Sequence, residues 1–382
     1  MLSSEIYLVV QGSGTKSLLY QNFYTEPTEV YVNGNKRDNC KKTCELTDDL
    51  NNITLIFNQE INSCKKMFYG LYDIIEIDLS NFDSSKVTSM KSMFRYCEYL
   101  KKINFGNMVT SSVQDMSNQF EFCYKLEYID VSNFDTSSVT NMLYMFSDCH
   151  QIKTIDLSNF DTKNVVEMHG IISYNDKLIS ANLSNFDTSK VTNMIALFYK
   201  CNNLIYLDLP NFKASSVMTD LTNGFSSLSS LKYLNLRSFK ISSSVTLDNT
   251  FKSHSSNTKY CIEDSSTRSL LNVNTNDCSN ICFRDNIIFD MDDYVCVESC
   301  DENKFLLKRE CYSNCPANTY KILKDRNRCE KIIPENYFKD NDNIYKKCYN
   351  LCQKCSQSGD ETNNNCDKCI NNYFFYKQNI HF

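Results

Sequence analysis

Apolar positions recur along the chain with one fixed step. Ile77, Ile103, Ile129, Ile155, Ala181 and Leu207 follow one another at 26 residues, and Leu234 comes after 27. Phe82, Met108, Phe134, Phe160, Phe186 and Phe212 keep the step, and so do Val87, Val113, Val139, Val165, Val191 and Val217. A constant period of this length marks a solenoid, in which one unit cannot hide its apolar face alone but a stack of units can. Two shorter periods alternate inside each unit. Ile129 and Val131 alternate with Tyr128 and Asp130, which is strand spacing. Val139, Met142, Phe146 and Cys149, with Met145 beside them, fall at steps of three and four, which is one face of a helix. Between the two halves lies Asp135-Thr136-Ser137-Ser138, a run of natural N-cap residues that reverses the chain. The pattern predicts an α/β repeat solenoid, a horseshoe with parallel strands on one face and helices on the other. Leu100, Leu126 and Ile152 are expected to stack in one column, and Phe94, Phe120, Phe146, Ile172 and Phe198 in another.

The flanks do not repeat. Residues 1–50 carry strand-like runs at Ile6 to Val10 and Glu29 to Val32, with an Asn33-Gly34 turn signal, and read as a cap on the open end of the stack. Residues 51–258 are the solenoid, with 51–76 a degenerate first coil. The register weakens in places: Ile172 and Asn175 replace Phe and Cys, and Asp220 stands where Met usually sits. Residues 259–382 are cysteine-rich, entered through a Ser-, Thr- and Asn-rich stretch with Cys261 as a candidate tie.

The motif L-x-x-I-x-L-x-x-F resembles a leucine-rich repeat. More narrowly, LSNFDTSxVTNMxxMFxxC is similar to the 26-residue repeat of BspA-like surface proteins, found in bacteria and in parasitic or gut-dwelling protists. That resemblance covers roughly residues 51–258 and implies a secreted or cell-surface protein used in adhesion or recognition.

Cysteine usage adds to the picture. Of 20 cysteines, 13 lie after residue 260, a density that points to an oxidising compartment. The candidates for disulfides are Cys40 and Cys44 in the cap, then Cys278, Cys282, Cys296, Cys300, Cys311, Cys315, Cys329, Cys348, Cys352, Cys355, Cys366 and Cys369. Little apolar sequence separates the latter, so covalent staples must hold that region together. NCPANTYK and CQKCSQSGDETNNNCDKC resemble the furin-like cysteine-rich repeats of growth-factor receptors and protist surface proteins, which implies a stalk of small disulfide modules. The closing C-x2-C-x10-C-x2-C also fits a tetrathiolate zinc site, but the series of C-x3-C pairs before it favours disulfides, and no metal is assigned. Cys97, Cys123, Cys149 and Cys201 hold one column of the solenoid and read as free, buried thiols.

The remaining signals mostly exclude. A net charge of −6 without a basic stripe argues against nucleic acid. No apolar run reaches the length of a membrane span, and Met1-Leu2-Ser3-Ser4-Glu5 is not a signal peptide, so the chain is expected to be a fragment of a longer protein. There is no phosphate loop, HExxH or G-x-S-x-G, and His150 and His169 stand alone, so neither an enzyme nor a cofactor is expected. Two sequons, Asn52-Ile53-Thr54 and Asn182-Leu183-Ser184, are chance-prone signals.

If the protein binds, the inner strand face is the first candidate, because its outward positions vary without loss of the core. Tyr128, Tyr206 and Tyr233 share one column there, and Asp130, Asp156 and Asp208 share the next. Tyrosine offers apolar area with a polar tip, which suits protein or sugar contact. The aspartates read first as a solvated polar face and second as a weak cation or glycan site. The expected partner is a protein or glycan on a host or neighbouring cell, with no membrane span in the chain itself.

Overall fold

The computed structural model describes residues 4–214, 216–273, 276–279, 288–290, 295–297, 300, 304–307, 310–312, 320–323, 328–330, 337–339, 345–347, 352–355 and 366–369. Met1–Cys278 form one compact unit and Ser279–Phe382 a second. The first unit begins with β1 (Ser4–Gln11), β2 (Gly14–Ser17), β3 (Glu29–Val32), β4 (Asn35–Lys36), β5 (Thr43–Leu46) and β6 (Leu50–Phe57). The first coils supply β7 (Ile74–Asp78) and β8 (Lys102–Asn104), and one sheet runs through both regions in the order β4-β3-β6-β1-β7-β8. β1 is antiparallel to β6 and to β7, setting Leu8 opposite Ile53 and Ile77, so the N-terminal strands shield the first coil by extending its own sheet. Later coils supply β9 (Thr154–Asp156), β10 (Ser180–Asn182), β11 (Tyr206–Asp208), β12 (Tyr233–Asn235) and β13 (Lys259–Cys261). These pair in parallel, with Ile155, Ala181, Leu207, Leu234 and Tyr260 in one register. The result is a mostly-sheet β-solenoid of about seven coils.

The expected helices are not there. Among the described residues the sole α-helix is α1 (Ser265–Leu270), outside the repeats. The apolar positions that suggested a helix face are buried as predicted; Val139, Met142, Met145, Phe146 and Cys149 are all 0% exposed. A staircase of turns places them. The N–H groups of Met116, Asn118, Phe120 and Phe122 donate to the carbonyls of Asn141, Leu143, Met145 and Ser147 in the next coil, at 3.0, 2.7, 2.9 and 3.1 Å. The intervening Glu121 and Cys123 donate three residues back, to Asn118 and Phe120. An α-helix would spend every N–H inside the coil; this path spends alternate ones between coils. Two left-handed residues per coil make the alternation possible, such as Asn118 and Phe122 (φ 57° and 64°) or Tyr144 and Asp148 (φ 51° and 58°). Each costs a non-glycine residue roughly 1–2 kcal/mol, and the inter-coil bonds, worth about 0.5–1.5 kcal/mol apiece, offset it. Steps of three and four are common to both geometries, so periodicity alone does not separate them.

Between the two faces the chain turns on a buried hydroxyl. Thr136 Oγ1 donates to Asp161 O at 3.1 Å and accepts from Asp161 N–H at 2.8 Å, and Thr110, Thr162 and Thr188 do the same one coil on. The preceding Asp135 caps the bend by accepting from Ser137 N–H at 3.0 Å. The DTS run is therefore an elbow rather than a helix cap. One elbow carries an insertion. Val217, assigned by counting to the buried valine column, is 54% exposed, and Met218, 5% exposed, takes its place. Asp220 consequently bridges Asn193, and Leu221 fills the methionine column, so the extra residue falls before Met218 and the register recovers.

In the second unit β14 (Ile288–Asp290) and β15 (Val295–Val297), β16 (Phe305–Leu307) and β17 (Glu310–Tyr312), β18 (Tyr320–Leu323) and β19 (Arg328–Glu330), and β20 (Tyr337–Lys339) and β21 (Tyr345–Lys347) form four antiparallel hairpins. Parallel pairings β14–β17, β16–β19 and β18–β21 join them into one eight-stranded sheet. β22 (Cys352–Cys355) and β23 (Cys366–Cys369) make a further hairpin in which Cys352 faces Cys369 and Cys355 faces Cys366.

Candidate recognition surface

The strand face carries the residues expected to bind. Each Asp or Asn of the column beside the tyrosines first serves the backbone: Asp78, Asn104, Asp130, Asp156 and Asn182 accept from the N–H two residues on, at 2.8–3.2 Å. These Asx turns end β7, β8, β9 and β10, and Asn235 makes another after β12. Asp208 differs, because residue 210 is proline and has no N–H; its buried carboxylate accepts from Asn235 Nδ2 at 2.8 Å. Asn104 Nδ2 reaches Asp78 in the same way at 2.9 Å. Asn182, the second sequon, is committed to its own turn.

The tyrosines are half-buried. Parallel pairing sets Tyr206 beside Tyr233, with ring centroids 6.5 Å apart and planes at 65°. Tyr128 is not in their company, since the Thr154 and Ser180 coils lie between. Its own coil has no assigned strand: the sheet stops at β8 and resumes at β9. Burial raises the Tyr128 hydroxyl pKa, and the charges of Asp130 and Asp156 raise it further. Asp130 and Asp156 are the one place in this column where two carboxylates are neighbours with no amide between them, and like charges in adjacent rungs weaken a sheet.

A second surface escaped the sequence reading. Tyr20, Tyr69, Tyr96 and Phe122 form a row along the turn face, with successive centroids 5.3, 5.5 and 4.6 Å apart. Lys66 Nζ lies 4.9 Å from the Tyr69 ring, and the Arg95 guanidinium lies 4.9 Å from Tyr96. Arg95 Nε is held 2.6 Å from Glu121, whose pKa burial raises against the pull of that arginine. Tyr96 and Phe122 occupy one of the left-handed positions, a column invisible while the segment is read as helix.

The cysteine column is settled in its chemistry. Cys97, Cys123, Cys149 and Cys201 are free thiols, fully buried, and burial pushes Cys97 and Cys201 up to about 12. Each Sγ lies within 2.9–3.2 Å of the carbonyl 29 residues back, that of Phe68, Phe94, Phe120 or Ile172. Asn175 takes the same role in its coil, donating to Phe146 O at 2.8 Å, and His254 Nε2 meets Phe225 O in the last coil. The column favours a small donor but does not require one, since buried Leu228 occupies it between Cys201 and His254. Disulfides join Cys40 to Cys44, Cys261 to Cys278 and Cys300 to Cys311, and Cys329 is also in a disulfide. Cys282, Cys315 and Cys348 lie outside the described residues, as do the side chains of Cys296, Cys352, Cys355, Cys366 and Cys369.

A family described as "Mycoplasma protein of unknown function, DUF285" matches residues 62–178 and 172–276, more than half of the chain. The chain belongs to this family. The DUF285 matches start with the first turn-face coil and end just past α1, so they span the coil stack and leave out most of the cap and the second unit. Among solved structures, a leucine-rich repeat protein from Bacteroides ovatus is similar at 15% identity, over 63% of this chain and 94% of that one, with a TM-score of 0.19. No curated protein matches the chain.

Proposed function

We propose that this DUF285 chain is a non-enzymatic recognition protein, secreted or displayed on a cell surface, that engages a protein or glycan through the strand face. The second unit then serves as its stalk. The observation that carries the reading is the Tyr206–Tyr233 pair: two half-buried rings 6.5 Å apart, on strands whose ends are tied together by the Asn235–Asp208 hydrogen bond, with an Asx turn after Asn235. Rigid aromatic area with hydroxyl tips on a preformed surface is suited to contact at low entropic cost. The disulfides among the described residues support an oxidising location, and no helix among those residues is long and apolar enough to cross a membrane.

The test is binding of the full chain to glycan arrays and to intact cells, with Tyr206→Ala/Tyr233→Ala compared with Tyr128→Ala. The double variant is expected to lose binding at least about tenfold, as for removal of a central aromatic anchor, while Tyr128→Ala changes it little. Unchanged binding in the double variant would favour a coat component without a discrete ligand.

A further inference from the structure

The two ends of the coil stack are finished differently. At the start, Tyr20 N–H donates to Met67 O at 2.9 Å and its ring packs on Tyr69 at 5.3 Å, so the first turn-face rung is covered. At the far end, the penultimate rung is regular. Leu221, Asn223, Phe225 and Ser227 donate to Thr246, Asp248, Thr250 and Lys252 at 2.9, 2.9, 3.1 and 2.7 Å. The last rung repeats the same conformation, with Asn249 and Ser253 left-handed at φ 55° and 64°. Its equivalent donors are Leu247, Asn249, Phe251 and Ser253. Among the described residues no acceptor meets these four N–H groups.

The apolar columns emerge at the same place. Leu221 and Phe225 are 0% exposed, whereas Leu247 and Phe251 are only partly buried. Other parts of this end are closed. Thr267 Oγ1, on α1, accepts from Ile241 N–H at 3.0 Å, Asp277 N–H donates to Tyr260 O at 2.8 Å, and Cys261 is bonded to Cys278. Between that cover and the open rung runs a groove of about 410 Å³, whose walls include Leu247, Phe251, Tyr260, Leu270, Leu271 and Val273.

We propose that this groove receives a peptide segment of a partner protein, which adds one more rung to the turn-face ladder. Alternate carbonyls of the segment accept from Leu247, Asn249, Phe251 and Ser253, and its apolar side chains lie between Phe251 and Leu270. The occupant is a polypeptide because the donors recur at every second residue, the spacing at which the neighbouring coil presents its own carbonyls. Backbone addition supplies the affinity and the apolar walls supply the choice of side chain, as in other edge-completing interactions. The site is separate from the tyrosine pair on the strand face.

Amide hydrogen exchange on the full chain tests this, with a synthetic peptide of residues 219–230 as the probe, since it carries the rung sequence itself. Without peptide, the amides of Leu247, Asn249, Phe251 and Ser253 are expected to exchange fast while those of Leu221 and Phe225 are protected. At peptide concentrations about ten times Kd they slow about tenfold. Leu270→Glu, at a residue 38% exposed and outside the core, abolishes the effect, whereas Tyr206→Ala/Tyr233→Ala leaves it intact. The proposal is overturned if these amides are already slow in the isolated chain, or if the peptide leaves them fast in folded protein.

Discussion

On the turn face, bridges run from Ser89 through Asp115, Asn141, Glu167, Asn193 and Asp220 to Thr246 without a missing rung, whereas on the strand face the ladder stops at β8 and resumes at β9. The same coils build both faces, so the cause is local. Most turn-face rungs are over-determined: alternate N–H groups cross to the next coil, a phenylalanine column interrupted at Ile172 stacks at 5.3–5.9 Å, and in most coils a thiol, amide or imidazole closes the spare carbonyl. The strand face has three-residue strands and one polar column, so each rung rests on fewer contacts, and the column's one pair of neighbouring carboxylates, Asp130 beside Asp156, borders the gap. Regularity follows the number of independent contacts per rung, and the sequence motif alone does not set it.

Deleting a turn-face ring is the most damaging way to break this contrast. Phe146 is 0% exposed and stacks on Phe120 at 5.3 Å, so Phe146→Ala is expected to cost about 3–5 kcal/mol and to lower the thermal midpoint of the first unit in calorimetry. A midpoint within a degree of the parent would mean the column carries little of the stability. Next comes the elbow that both faces share. Thr136→Val keeps the volume and strands the buried N–H and carbonyl of Asp161, at about 1–3 kcal/mol, measured by urea unfolding. An unchanged midpoint would show that the hydroxyl is dispensable. The gentlest change sharpens the comparison instead. Asp156→Asn places an amide next to Asp130, as Asn104 stands next to Asp78, and is expected to add up to about 1 kcal/mol and to slow amide exchange around Tyr128. Exchange that stays fast there would acquit the paired carboxylates.

Much of this could be read from residue spacing. The columns Ile77 to Leu234 and Phe94 to Phe198 stack as the period requires, because burial depends only on which residues face inward. The helix was misread because Val139, Met142, Phe146 and Cys149 repeat at three and four in either geometry. The distinguishing feature is a left-handed φ at Tyr144 and Asp148, residues that carry no glycine signature. Val217 misled for a related reason: counting cannot see where an elbow takes up an extra residue. Of the candidate surface, Tyr206 and Tyr233 came together because their coils are adjacent. Tyr128 stayed apart, and the Tyr69–Tyr96–Phe122 row went unnoticed behind the assumed helix.

An elbow that absorbs an additional residue, between the partly buried Ala214 and Met218, has a bearing on how such chains lengthen. Because each coil meets the next through the same set of donors and acceptors, a duplicated unit spliced between two coils meets a compatible edge above and below. The specialised termini need no redesign. The length of the stack can thus be adjusted in increments of one coil, about 4.8 Å each, by copying a stretch of gene.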